Sequence, residues 1–386
     1  MKVLGTNRVL YATFLFCGCA TLMLGVALPE FERRWQLADS QSGMLLAAQF
    51  IGLFAGALTI QNNLRRSLQT GCLVAMLGYL GLLVCCLHEK GFAAAVPAVF
   101  VLGLGIGQMT TTVNLLAADA TRSSQHRSAR LSMVNFAWSI GALLAPFVTG
   151  WCIAHRGIVS LFTGFLVWLV FLLAASSLFL TPAPVSETDG APASFGMPTA
   201  TLAFFALVFF LYGGLELTVS GWLSTYALRY SRLSVAVAAY STSFLWMSFA
   251  LGRFAAGILL RWHSDRAARV IGVCMTLAAA TGLRFAGSTV VMGLCSAAIG
   301  LGLGPFFPIT LSRMVSRRPS SRQAGQATSA TSIGQAAFPY LVGVLSTRTG
   351  SLRVAMIVPG LIAASLLAII VWSDKENAQE TAECQG

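Results

Sequence analysis

The sequence predicts an all-α membrane protein, with twelve transmembrane helices in two pseudo-symmetric six-helix bundles. Three observations predict it. The 386 residues are 56% hydrophobic and only 10% charged, with mean hydropathy +0.76. Soluble domains carry about 25% charged residues, and a water-soluble fold could not cover so much apolar surface. Twelve stretches are long enough to cross the hydrocarbon core, which takes about 20 apolar residues. Finally, glycine and proline patterns of the first half recur in the second.

The first six stretches lie at about 9–28, 41–60, 68–87, 93–117, 130–152 and 157–180. The first follows Lys2 and Arg8 as a signal peptide's core would. It is too long for most such cores and further spans follow, so it reads as an anchored first helix. The last six lie at about 199–226, 235–260, 267–286, 289–313, 323–345 and 352–372. Most connections are short. The longest, TPAPVSETDGAPASFGMP at 181–198, holds four of the twelve prolines. The expected division is an N-terminal bundle at 1–180, a cytoplasmic linker at 181–198, a C-terminal bundle at 199–373 and a cytoplasmic tail at 374–386.

The formal charge of +12 does not point to nucleic acid, because nearly all of the 25 Lys and Arg residues cluster between apolar stretches. That is the pattern of loops beside an anionic leaflet. With both termini in the cytoplasm, fifteen of these residues fall inside and nine outside, with Arg253 within a span. The bias predicts that orientation in an inner (plasma) membrane. Eight of nine cysteines lie in apolar stretches and the four histidines in or beside loops, without zinc-site spacing. No metal and no cofactor is expected.

The internal repeat is the strongest architectural signal. SIGALLAPFVTG (139–150) and SIGQAAFPYLVG (332–343) share Gly141, Pro146 and Gly150 with Gly334, Pro339 and Gly343 at an offset of 193. GLGIG (103–107) matches GLGLG (300–304), and GLFAGAL (52–58) matches GRFAAGIL (252–259). Small residues let helices approach closely in lipid, and the prolines bend their helices. Such joints suit two bundles rocking about a central site. GLGIGQ is a near miss for a dinucleotide fingerprint, with Gln108 in the third glycine's place and no strand before it.

With those features assembled, the chain resembles the major facilitator superfamily over nearly its whole length. In the loop after the second span, GALTIQNNLRR (56–66) keeps Gly56, Arg65 and Arg66 of the family's motif, while Ile60 stands where the family has an acid. The acid's cytoplasmic latch is therefore not implied for this chain. YGGLELTVSGWLSTY (212–226), through Tyr212, Gly213, Glu216, Trp222 and Tyr226, resembles the seventh span of fucose-permease-like sugar transporters. LPEFERRWQLADSQSGMLLAAQFIG (28–52) resembles their first outer loop and second span. The acids those permeases carry in spans one and four are missing, with Gln108 at roughly the second place.

Glu216 is the only acid well inside a span. A charge there costs on the order of 3 kcal/mol, so the carboxyl is either a protonation switch coupling transport or a structural group bonded to Tyr212 or Ser220, one turn away. Glu216 and Trp222 lie about 120° apart on an ideal helix. The expectation is a discontinuous seventh helix, unwound at Gly213, Gly214 and Gly221. Sugars are held by planar polar groups and aromatic faces. The expected substrate-binding set is Gln49, Gln108, Asn114, Asn135, Trp138, Glu216, Trp222, Tyr226, Trp246 and Gln335. The expected gating set is Arg253, Gly213, Gly214, Pro146 and Pro339.

The reading is a secondary active transporter, working by alternating access on a small hydrophilic solute, foremost a monosaccharide. It is coupled to H+ or Na+ through Glu216, or uncoupled, and is expected to be a monomer. A proton-coupled exporter of amphiphilic compounds and a non-transporting nutrient sensor are the alternatives. A membrane enzyme would need convergent acids, histidines or a metal cluster, which a lone Glu216 does not supply.

Overall fold

The computed structural model describes residues 2–61, 63–87, 91–119, 124–180, 197–231, 233–259, 264–317, 319 and 321–383. The predicted linker at 181–196 and the tail's last residues, 384–386, lie outside the described residues. The first half contains α1 (Lys2–Trp35), α2 (Asp39–Ala57), α3 (Leu64–Leu87), α4 (Phe92–Asp119), α5 (Ser124–His155) and α6 (Ile158–Phe179). The second contains α7 (Thr199–Tyr230), α8 (Val235–Leu259), α9 (Asp265–Phe285), α10 (Thr289–Leu303), α11 (Phe306–Ser316), α12 (Ser321–Thr349), α13 (Leu352–Ala355) and α14 (Ile357–Glu383). Every predicted span is met, α10 with α11 forming the tenth and α13 with α14 the twelfth. Several helices overrun the predicted ends, α1 by a full turn or more at each end. Hydropathy marks where the chain leaves hydrocarbon, not where helix stops.

The repeat is visible in the contacts its glycines make. A β-carbon on Gly141 would lie 2.0 Å from the Leu15 carbonyl oxygen, and one on Gly334 would lie 1.9 Å from that of Phe210. Thus α5 packs on α1 as α12 packs on α7. Gly103 and Gly107 meet the Gln49 and Leu53 carbonyls on α2, while Gly300 and Gly304 meet those of Leu245 and Phe249 on α8. Only a residue without a β-carbon permits these backbone approaches. The turns repeat too. Gly157, before α6, and Gly350, before α13, have φ of +80° and +68°, which favours glycine.

One expectation about helix continuity is corrected. The seventh span is not unwound: α7 runs unbroken through Gly213, Gly214 and Gly221. Those glycines serve close packing instead. A β-carbon on Gly213 would meet Thr331 at 2.4 Å, and one on Gly214 would meet the Phe338 ring at 2.0 Å. The tenth span is discontinuous, broken between α10 and α11 at Gly304–Pro305, and the twelfth is interrupted near its start at Met356. Pro305 and Pro308 lack the N–H groups that would bond the carbonyls of Leu301 and Gly304. Pro146 and Pro339 sit inside uninterrupted helices.

The halves meet through α2 with α12, α5 with α8, and α1 with α7. Twelve spans bring both termini to one end of the bundle, and the contacts between halves tighten toward the opposite, far end. On α1, residues 16–29 are all buried, and on α7 so are residues 211–227. Nearer the termini, residues 6–15 and 199–210 keep partly exposed positions. The fold is therefore closed at its far end.

Candidate functional site

Glu216 lies at mid-membrane depth on α7 and is 8% exposed. The Tyr212 hydroxyl, one turn back, donates to Glu216 Oε1 at 3.1 Å. Arg253 on α8 and Gln335 on α12 are its other polar neighbours. Tyr212 itself stacks on Phe306 at 5.6 Å, with the rings 12° from parallel. The acid is thereby tied to the first residue after the broken span.

Arg253 explains how that break is tolerated. Its Nε donates to the Gly304 carbonyl at 3.2 Å, the group that Pro308 leaves without a helical partner. Its guanidinium also sits 5.9 Å from the Phe249 ring centre. Phe249 stacks on Trp246, and Trp246 meets Trp138 of the other half edge-on at 5.9 Å. An aromatic row on α8 thus runs from the seam between halves to the cation beside Glu216. Trp246 is buried and its indole N–H has no hydrogen-bond partner.

The other expected residues divide. Gln49 is buried against α1, its amide donating to the Ala20 and Thr21 carbonyls at 3.3 and 3.1 Å, with Oε1 unpartnered. Gln108 is not brought to the seam. Its amide donates to the Thr59 carbonyl and the Thr70 hydroxyl, within the first half near the termini. Trp222 and Tyr226 turn away from Glu216 on the unbroken helix. Trp222 Nε1 donates to the Pro339 carbonyl at 3.0 Å. The Tyr226 hydroxyl donates to the Leu283 and Arg284 carbonyls at the end of α9, groups that a helix end leaves open. In this state both brace helices. Asn114 is half-buried and Asn135 exposed.

The sequence reading missed a cluster of charges at the far end. Arg229 on α7 reaches across the halves, donating to Asp39 Oδ2 and to Glu32 Oε2, each at 2.8 Å. The Ser346 hydroxyl of α12 also bonds Asp39, and the Ser40 N–H donates to Thr347 at 2.8 Å. Ser42 holds the other oxygen of Glu32 at 2.9 Å. Burial alone would push the Asp39 carboxyl up, but the bonds from Arg229 and Ser346 outweigh it and hold it below the usual carboxylate range. Both acids stood in the quoted segment 28–52 as loop charges. Only the fold shows that Arg229, some 190 residues later, is their partner.

The model of the Major Facilitator Superfamily matches residues 10–324. The chain belongs to this superfamily. It is a multi-span membrane transporter rather than an enzyme. Among curated proteins, it is 22% identical over 358 residues to the glucose/mannose transporter GlcP of Bacillus subtilis, covering 88% of this chain and 87% of that protein. Among solved structures, a D-xylose–proton symporter matches with TM-score 0.77 at 12% identity, covering 96% of this chain and 97% of the other. The fucose–proton symporter of E. coli matches with TM-score 0.61 at 17% identity, covering 95% and 98%. These structural likenesses establish the shared fold.

Proposed function

We propose that the protein is an alternating-access carrier of a monosaccharide, coupled to protons through Glu216. The observation that carries this is a carboxyl buried among α7, α8 and α12, the only buried one among the described residues, hydrogen-bonded to Tyr212 with Arg253 and Gln335 beside it. A group so placed can exist charged or neutral, and its charge can bias which face of the carrier opens. Gln335, Gln49, Trp138 and Trp246 supply the planar amides and aromatic faces that a sugar needs. The glucose/mannose transporter among its relatives, and the sugar–proton symporters that share its fold, support the same reading.

The carrier works as a monomer in the plasma membrane, with its termini in the cytoplasm. The moving bodies are residues 1–180 and 199–373, joined by 181–198. On that orientation the present state is closed outside. The test is uptake of radiolabelled hexoses and pentoses by purified protein in liposomes, with and without an imposed proton gradient. Gradient-driven accumulation is expected for at least one sugar. Glu216→Gln is expected to abolish accumulation while exchange continues. No uptake or binding across a broad panel refutes the sugar reading, and unchanged accumulation in the variant refutes the coupling role.

A further inference from the structure

We propose that Ser220 and Thr21 form a hydroxyl-binding subsite of the transport path, covered in this state by the far-end closure. The inference rests on the carrier reading and extends it to residues not assigned above. Ser220 lies on α7 one turn beyond Glu216, toward the far end, and is 2% exposed. Its hydroxyl has no hydrogen-bond partner. Some buried helical hydroxyls bond back to the carbonyl four residues earlier, as Thr13, Thr276 and Ser296 do. Others, such as Thr218 and Thr225, are unpartnered like Ser220, and what sets Ser220 apart is that it borders a void. An unspent buried hydroxyl costs free energy unless something occupies it.

The space for an occupant is present. Ser220, Thr21, Gly25, Phe50 and Gly221 border a cavity at the meeting of α1, α2 and α7, with room for about one water. It lies across the seam between the halves. A β-carbon on Gly25 would lie 3.0 Å from the Gly221 Cα, so the two backbones pass with no side chain to fill the gap. The Thr21 hydroxyl donates to the Cys17 carbonyl at 2.7 Å and keeps its lone pairs free to accept. One donor from Ser220 and acceptors from both residues match what a single hydroxyl requires. When the halves part at the far end, the same groups face the path and take a hydroxyl of the polyhydroxylated solute.

The test combines kinetics with chemical access. Ser220→Ala and Thr21→Val each remove one hydroxyl with little change of volume. Each is expected to raise KM for the transported sugar roughly three- to tenfold, the range of one hydrogen bond, with kcat nearly unchanged. A deoxy analogue lacking the bound hydroxyl should be insensitive to both. Separately, a Ser220→Cys thiol in a background without the native cysteines is treated with a small hydrophilic thiol reagent on either face. Reaction blocked by the transported solute is expected. KM within twofold of wild type for every transported sugar would show a sealed structural water and overturn the subsite. A thiol unreactive from both faces would overturn it as well. If no sugar is transported the sugar reading falls, and the thiol's reactivity alone decides whether this pair lines the path.

Discussion

Releasing Arg229 should open the far end by an amount the geometry sets. The side chain is 34% exposed, while Glu32 and Asp39 are 12% and 11% exposed. Exposed ion pairs contribute about 0.2–1 kcal/mol, whereas breaking a fully buried pair costs about 3–5 kcal/mol because a charge is stranded. Arg229 lies between these limits, so screening discounts the larger figure. Arg229→Ala also leaves two carboxylates facing each other without their shared cation. A shift of about 1.5 kcal/mol toward the far-open state follows, roughly tenfold in the open-to-closed ratio. The assay is electron–electron double resonance between spin labels at Ala38 and Arg348, on the far ends of α2 and α12, in a background without the native cysteines. The variant should gain a longer-distance population, and Arg229→Lys, which keeps charge but loses the fork, should fall between. Asp39→Asn added to Arg229→Ala should recover part of the closure, since it removes the repulsion between the two stranded carboxylates. A distance distribution unchanged by Arg229→Ala would refute the idea that these charges hold the far end shut.

The same labels read the latch against pH. Asp39 is held below the ordinary carboxylate value of about 3.9, so its contribution to closure is present above that value and lost as pH falls through the lowered one. Glu32, in the same latch, is pushed up by burial and is linked the other way, so protonation there favours closure. The short-distance population should therefore not fall from about pH 8 to pH 5, and loss of closure near pH 6 would show that Asp39 is not so held. Gly334→Ala places a β-carbon 1.9 Å from the Phe210 carbonyl. It should force α12 off α7 at a cost of at least 1–3 kcal/mol, seen as a lower melting temperature in detergent, and an unchanged melt would refute the close approach. Trp222→Phe removes the bond to the Pro339 carbonyl and also trims a fully buried ring. It should cost at least about 1 kcal/mol of stability, the bond alone, with KM unchanged, and a large rise in KM would return Trp222 to the substrate.

Much of the architecture was legible because lipid imposes it. A span must be largely apolar and helical to satisfy its backbone, so the apolar stretches placed the spans, though not the breaks within the tenth and twelfth. The repeat was legible because Gly141 and Gly334 answer to the same backbone approach in each half. The site was legible only in part. Glu216 stood out because a carboxyl is costly in that setting, and its bond to Tyr212 follows from helical spacing. Trp222 and Tyr226 bond backbone carbonyls in this state, and an aromatic side chain looks the same in sequence whether its polar tip meets a sugar or such a carbonyl. The latch was hidden because Glu32, Asp39 and Arg229 are ordinary loop charges until the two halves are docked.

The broken span shows how duplication and function diverge. With the offset of 197 that aligns GLGIG with GLGLG, Gln108 of the first half corresponds to Pro305 of the second. In the first half α4 continues, and Gln108 ties it to Thr59 and Thr70 where the superfamily's loop motif would place charge. In the second half proline stops the helix, and the freed Gly304 carbonyl is met by Arg253. The expectation of an unwound seventh helix assumed that glycines would supply the flexible backbone near Glu216. Glycine permits bending but leaves every N–H in place, and in lipid each N–H finds its carbonyl, so α7 stays whole. Proline removes the donor outright, which leaves a carbonyl that a cation must satisfy. That is why Arg253, on α8 beside the break and bonded to the Gly304 carbonyl, also stands near the buried Glu216.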